Sequence, residues 1–134
     1  MKIQFMLDTN IVIYVIKHKP ASVLERFRQY DPAEFCISAI TLAEMQYGIS
    51  KSSKPEKNQM ALASFLSNIA VLSFEDDAAV EYGDIRAELE KKGTLIGSND
   101  MLIAAHARAL DLTVVTNNTK EFARVPGLKL ENWA

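Results

Sequence analysis

Three acids stand out by type and place: Asp8 in Met-Leu-Asp-Thr-Asn, Glu44 in Ile-Thr-Leu-Ala-Glu-Met, and Asp100 in Ile-Gly-Ser-Asn-Asp-Met-Leu-Ile-Ala-Ala. Each follows a strand or a turn and lies at or near the start of a helical stretch. In a parallel sheet such junctions all open on one edge, so carboxylates far apart in sequence can converge there. Converging acids demand a counter-charge, because an unpaired charge held away from water is costly. Hard oxygen donors without histidine or cysteine partners suit magnesium or manganese, which keep several waters and grip phosphate oxygens. The chemistry that follows is phosphodiester hydrolysis, with metal stabilising the developing charge and activating the attacking water.

Each acid also has a purely structural account. Aspartate is a preferred N-cap, so Asp8 can cap the helix that follows it. Thr41 and Glu44 have capping-box spacing, which works only if their helix starts at Thr41; with Ser38 as cap, Glu44 falls in the second turn, too far along to cap. Asp100 behind Ser98 would favour the dipole of any first turn. Recurrence of acids at corresponding junctions tips the balance toward a cation site, with capping of the first helix left to Thr9 and Asn10.

The elements that must position these acids alternate along the chain. Ile3 to Leu7 reads as a strand buried on both faces, followed by a helix from Thr9 to Lys17 and a second from Ala21 to about Tyr30. Glu34 to Ser38 is the next strand, with a helix from Ala39 to about Lys51. Ser53 with Glu56 has capping-box spacing, with Pro55 inside the first turn of a helix running to about Asn68. Val71 to Phe74 is a third strand. Acidic Glu75, Asp76 and Asp77 then open a long helix that ends on Lys91, Lys92 and Gly93, a charge order that suits the helix dipole and a glycine cap. A turn at Gly97 to Asn99 leads to a helix from Asp100 to about Leu110, a strand from Leu112 to Thr116, a helical turn near Lys120 to Phe122, and an edge strand from Leu128 to Glu131. This order predicts an α/β fold, a parallel sheet with helices on both faces, in one domain over 1–134.

Composition narrows the function classes. The 134 residues are 49% hydrophobic and 24% charged, an ordinary balance for a globular chain. No apolar run approaches a membrane span and no signal helix opens the sequence, so the expectation is a cytoplasmic protein with no membrane partner. Cys36 is the one cysteine and reads as a buried core residue, which excludes an internal disulfide. A net charge of −2 gives no global footprint for nucleic acid, so any such binding needs a local patch, a metal or a second subunit. Neither Gly-x-Gly-x-x-Gly nor a P-loop pattern occurs. A phosphatase of the haloacid-dehalogenase type would carry a second aspartate where this chain has Asn10.

The residues together resemble a known family. The order and spacing of Met-Leu-Asp-Thr-Asn, Ser-x-Ile-Thr-x-x-Glu, Ile-Arg-Ala-Glu-Leu-x-x-x-Gly-x-x-Ile-Gly-x-x-Asp-x-x-Ile-Ala-x-His-Ala, Val-Val-Thr-Asn-Asn-x-x-Glu-Phe and Pro-Gly-Leu-x-x-x-Asn-Trp are similar to PIN-domain ribonucleases of the VapC toxin type over the whole length. The resemblance implies a three-layer α/β/α sandwich around a central parallel sheet. It also implies magnesium- or manganese-dependent cleavage of RNA, with a tRNA anticodon loop as the substrate it points to. Neutralisation by a cognate VapB-type antitoxin and assembly as a homodimer are implied as well. A catalytically silent PIN-fold module that binds RNA or protein is the competing reading, disfavoured because all three core acids are present.

Carried onto this chain, the resemblance makes Asp8, Glu44 and Asp100 the metal ligands and catalytic residues. The family often has an aspartate two residues after the threonine that ends the fourth strand, where this chain has Thr116, Asn117 and Asn118. Asn118 brings no charge, which implies one tightly held ion with a second arriving alongside RNA. Glu121 either substitutes for that acid or faces solvent in a short helical turn, and the second is the expectation. Asn10 and Thr116 are expected to support the site from behind the ligands, and Arg86 either contacts RNA phosphate or pairs with Glu90 at i+4. His106 is expected to be a packed or hydrogen-bonded structural histidine, His18 exposed, and Trp133 an anchor for the C-terminal edge.

Overall fold

A computed structural model describes residues 2–134. The elements are β1 (Phe5–Leu7), α1 (Thr9–Lys17), α2 (Ala21–Arg28), a 3-10 turn (Pro32–Glu34), β2 (Phe35–Ser38), α3 (Ala39–Ser50), α4 (Pro55–Leu66), β3 (Ala70–Leu72), α5 (Asp76–Lys92), α6 (Ser98–Ala109), β4 (Thr113–Val115), α7 (Thr119–Phe122) and β5 (Lys129–Glu131). The strands form one sheet in the order β3-β2-β1-β4-β5, and every pairing is parallel. Register places Phe5 opposite Phe35 and Thr113, so β1 lies at the centre with neighbours on both sides.

Alternation along these short strands divides the core into two layers. Met6, Cys36 and Val114 turn toward one face, where they meet Ile85 and Leu89 of α5 and Ile103, Ala104 and Ala107 of α6. Phe5, Leu7, Phe35, Ile37 and Val115 turn to the other, against Ile11, Val12 and Val15 of α1, Val23 of α2 and Trp133. Helix α3 crosses the boundary, with Ile40 on the first cluster and Leu42 and Met45 on the second. The result is the three-layer α/β/α arrangement that the sequence implies. Trp133 is 3% exposed, packed edge-on to Phe5 and stacked on Tyr30, and its Nε1–H donates to Glu131.

Several boundaries differ from the sequence reading, each for a local reason. Glu34 belongs to the 3-10 turn rather than to β2, because Asp31 and Glu34 form a reciprocal capping box around Pro32. The Ser53–Glu56 capping box does not form: Lys54 occupies the N-cap of α4 without a side-chain bond. Ser52 takes the local role, donating to the Ile49 carbonyl and accepting from Asn58. Helix α6 starts at Ser98, two residues earlier than expected, with extended Gly97 before it. Helix α5 ends as the sequence predicts, on Gly93 at φ 67°, a left-handed conformation that suits glycine.

Candidate active site

The carboxyl ends of β1, β2 and β4 open on one edge of the sheet, and the acids gather there. Asp8, Thr9, Asn10, Glu44, Asp100, Asn117 and Asn118 line a single cavity of about 340 Å³. No lysine, arginine or histidine is among these lining residues. The three acids singled out from sequence are therefore brought together, by a sheet edge and two helix starts.

Asp8 is held most tightly. Its backbone N–H donates to the Val115 carbonyl, which fixes the end of β1 against β4. Its side chain accepts from the Thr9 N–H at 2.8 Å and from the Thr116 hydroxyl at 2.8 Å, and the residue is only 5% exposed. Asp8 is thus itself the N-cap of α1, which corrects the expectation that Thr9 and Asn10 do the capping. Those two side chains are committed elsewhere: Thr9 Oγ1 donates to Glu44 at 2.7 Å, and Asn10 Nδ2 donates to Asn117 at 3.3 Å. Burial raises the Asp8 pKa above the ordinary carboxylate value, the Thr116 and Thr9 bonds oppose that rise, and the Glu44 charge adds to it.

Ser38 caps α3, its hydroxyl accepting from the Ile40 N–H at 3.1 Å. Glu44 consequently lies in the second turn and cannot close a capping box. Its carboxylate is instead reached by Thr9 from α1 and by the Asn99 amide of α6 at 3.3 Å. Asp100, in the first turn of α6, accepts from Asn118 Nδ2 at 3.2 Å. Its pKa is pushed up to about 7, by burial first and then by the charges of Asp8, Glu121 and Glu44.

Thr116 and Asn118 both enter the site, as supports. The Thr116 hydroxyl donates to Asp8 and accepts from the Asn118 N–H at 2.9 Å, so one side chain orders both the acid and the turn after β4. Asn118 spans Asp100 and Glu121 with its amide. Glu121 departs from the solvent-facing role expected of it. Its carboxylate couples to Asp100, and its own pKa is lowered chiefly by the Asn118 bond. The signal was present in the sequence: α7 is one helical turn, so an acid three residues after Asn118 returns to the same side. Arg86 lies outside the cavity, bonded to the Tyr82 hydroxyl at 3.0 Å and paired with Glu90 at 3.5 Å, the i+4 alternative. Asn117 was not singled out from sequence; it joins Asn10 to the Tyr14 hydroxyl at the rim.

The donor set fits a hard divalent cation in kind. Asp8, Glu44 and Asp100 offer only oxygen, share one cavity, and have no cationic side chain lining it with them. The Asp100 pKa is raised by burial first and then by the charges of Asp8, Glu121 and Glu44, and a cation would relieve that second part. As the side chains stand, no three acid, histidine or cysteine groups among the described residues close to ligation distance, and Glu44 and Asp100 accept hydrogen bonds from Thr9, Asn99 and Asn118 instead.

Comparison with known proteins finds relatives along nearly the whole chain. The PIN domain model matches residues 5–128. Ribonuclease VapC2 of Haemophilus influenzae is 50% identical over 131 residues, covering 98% of each chain. A tRNA(fMet)-specific endonuclease VapC from Shigella flexneri is 50% identical over 132 residues, covering 98% of this chain and 99% of that one. Among solved structures, the DNA-bound VapBC complex of Salmonella typhimurium contains a chain that matches with a TM-score of 0.92 and 47% identity, over 98% of this chain and 99% of that one.

Proposed function

This chain belongs to the PIN-domain family, within its VapC ribonucleases, and on that premise we propose that it is the toxin of a toxin–antitoxin pair, an endoribonuclease restrained by a VapB-type antitoxin. The observation that carries the reading is the gathering of Asp8, Glu44 and Asp100 in one cavity with no basic lining residue. A silent binding module has no use for carboxylates held at that electrostatic cost.

Asp8, Glu44 and Asp100 hold magnesium or manganese, with Asn118, Thr116 and Asn10 supporting them. A bound ion of this class supplies Lewis-acid polarisation of a phosphate and activation of water. The chain's own residues do the placing. Thr116 fixes the rotamer of Asp8 and Thr9 that of Glu44, while Asn118 keeps Asp100 and Glu121 from moving apart. Deprotonation of Asp100 completes the charge that the cation requires. With neutral amides at Asn117 and Asn118, this charge resides in the carboxylates alone, in keeping with one tightly held ion and a second arriving with RNA.

The RNA is a structured one, a tRNA by analogy with the Shigella relative, whose name specifies tRNA(fMet). Arg86 lies off the cavity and pairs with Glu90, so it takes no part in holding the cleaved bond. An apolar cleft of about 310 Å³, lined by Ile13, Ile16, Met45 and Ile49, shares Thr9 and Glu44 with the acid cavity and gives an antitoxin segment a route to the site. Among the described residues no helix is long and apolar enough to cross a membrane. A cytoplasmic homodimer completes the proposal, juxtaposing two sites and gathering into one groove basic side chains that lie scattered over a single copy.

The test is to map cleavage ends in total RNA after brief induction, with Asp100→Asn as control and with EDTA added in vitro. Discrete ends that disappear in both controls support the proposal. Full cleavage by the variant, or in excess chelator, overturns it.

A further inference from the structure

One buried polar chain has no part in the site as described. The Ser38 hydroxyl, at the N-cap of α3, accepts from the Ile40 N–H and lies 2.8 Å from His106 Nδ1, in the last turn of α6. Both residues are sealed from water, Ser38 at 0% and His106 at 1% exposure. Burial favours the neutral ring, and a proton on Nε2 toward the Ser73 backbone leaves Nδ1 to accept from the Ser38 hydroxyl, while the Phe74 ring packs edge-on at 5.4 Å.

We propose that His106 is a positioning residue for Glu44 and Asp100: its bond to Ser38 ties the far end of α6 to the start of α3 and sets how closely the two helices bring their carboxylates. The inference rests on the metal reading of the site. Two contacts show that the helices run antiparallel. Ser38 at the start of α3 meets His106 late in α6, and Glu44 in the second turn of α3 meets Asn99 at the start of α6, at 3.3 Å. Glu44 lies six residues beyond Ser38 and Asp100 six residues before His106, about 9 Å along each helix axis. The pair thus forms a ladder with a buried rung at one end and the acids at the other. The buried rung is the stiffer, because no water competes for it and breaking it strands two desolvated groups.

His106 does not act on substrate directly. It is absent from the cavity lining, and its Nδ1 is occupied by Ser38. Burial lowers its pKa while Asp77, the Ser73 backbone and Glu75 partly oppose that, so the ring stays a neutral acceptor.

The experiment compares His106→Phe, His106→Gln and His106→Asn with the wild-type chain, by Mn2+ titration calorimetry and by ¹H–¹⁵N spectra of the metal-free proteins. Asparagine places an acceptor near the Nδ1 position, glutamine places its amide near Nε2, and phenylalanine fills the space with neither. Phe and Gln are expected to fold yet bind Mn2+ roughly tenfold more weakly, with displaced amide resonances at Glu44, Asn99 and Asp100. Asn is expected to restore both. Ser38→Ala combined with His106→Phe should lose no more Mn2+ affinity than the worse single variant. Mn2+ affinity within about twofold of wild type in folded Phe and Gln variants, with only melting lowered, would reduce His106 to packing and overturn the proposal. If the Phe variant does not fold, equal affinities of the Gln and Asn variants overturn it. A wild-type chain that binds no Mn2+ would overturn the metal reading instead, and the spectra would still decide whether the bond sets the two helices.

Discussion

The Thr116 hydroxyl donates to Asp8 Oδ2 at 2.8 Å, joining the carboxyl ends of β4 and β1 across 108 residues of sequence. The bond is buried, and the same oxygen accepts from the Asn118 N–H. One hydroxyl therefore stabilises a desolvated carboxylate and starts the turn that carries Asn118 and Glu121 into the site.

Thr116→Val keeps the shape of the side chain and removes both bonds. The Asp8 carboxylate loses a donor that holds its pKa down, so its ionised form becomes harder to keep. Stability at pH 7 should fall by about 1.5–3 kcal/mol, the range for a hydrogen bond to a charged group, as read by urea unfolding. Mn2+ affinity should fall with it. An unfolding midpoint equal to that of wild type would show that Thr116 does not support Asp8.

The layers and the positions of the acids were legible in the sequence because they follow from short-range rules. Apolar runs ended by small polar residues located β1 and β2, and the acid-to-base charge order located α5 from Asp76 to Gly93. What a local pattern could not settle was competition between partners. Asp8 read as cap or ligand, and in the fold it caps α1 while facing the cavity, since a carboxylate has two oxygens. Thr41 and Ser38 were rival caps for α3, and only the placement of β2 against β3 decides for Ser38. Ser53 does not cap α4, whose N-cap is Lys54, and the serine that bonds locally is Ser52, engaged with the end of α3 and with Asn58. The spacing of Glu121 from Asn118 puts both on one side of α7, but its own segment does not name the partner it meets there, Asp100, which arrives from α6.

Asp100 makes metal-free stability depend on pH in a defined sense. Its folded pKa, about 7, lies above the ordinary value of 3.8 that applies when the chain is unfolded. The folded state therefore binds the extra proton between those values, and the contribution to stability is fully present below 3.8 and lost as pH rises through about 7. The depressed Glu121 acts in the opposite sense only at more acidic pH. In EDTA, wild type should lose melting temperature across this window, and Asp100→Asn should lose less, the remainder coming from the raised pKa of Asp8. At pH 8 the variant should melt higher than metal-free wild type by up to about 4 °C, the shift that roughly 1 kcal/mol gives a domain of this size. Mn2+ should stabilise wild type more at pH 8 than at pH 5.5, because below about 7 it must displace the Asp100 proton. Melting curves at these pH values, with and without Mn2+, check all three outcomes.

Glu121→Gln separates the two roles open to an acid at the edge of this site. The Glu121 charge and its contact with Asp100 both favour the protonated form of Asp100, and the Asn118 amide holds the two side chains in one group. Glutamine keeps the length and can still accept from Asn118, yet it removes the charge. If Glu121 acts only on its neighbour, Asp100 ionises at lower pH in the variant, and the midpoint of pH-dependent Mn2+ binding moves below about 7 with little change in affinity at pH 8. If Glu121 also supplies charge to a cation, affinity at pH 8 falls by roughly tenfold or more, the effect of losing a group that supports a metal site. The position of Glu121, only partly exposed and bonded through Asn118 rather than aimed at Asp8 or Glu44, makes the first outcome the expected one. Calorimetric Mn2+ titrations of both proteins from pH 5.5 to 8 distinguish them, and a midpoint that does not move would show that Glu121 leaves the ionisation of Asp100 untouched.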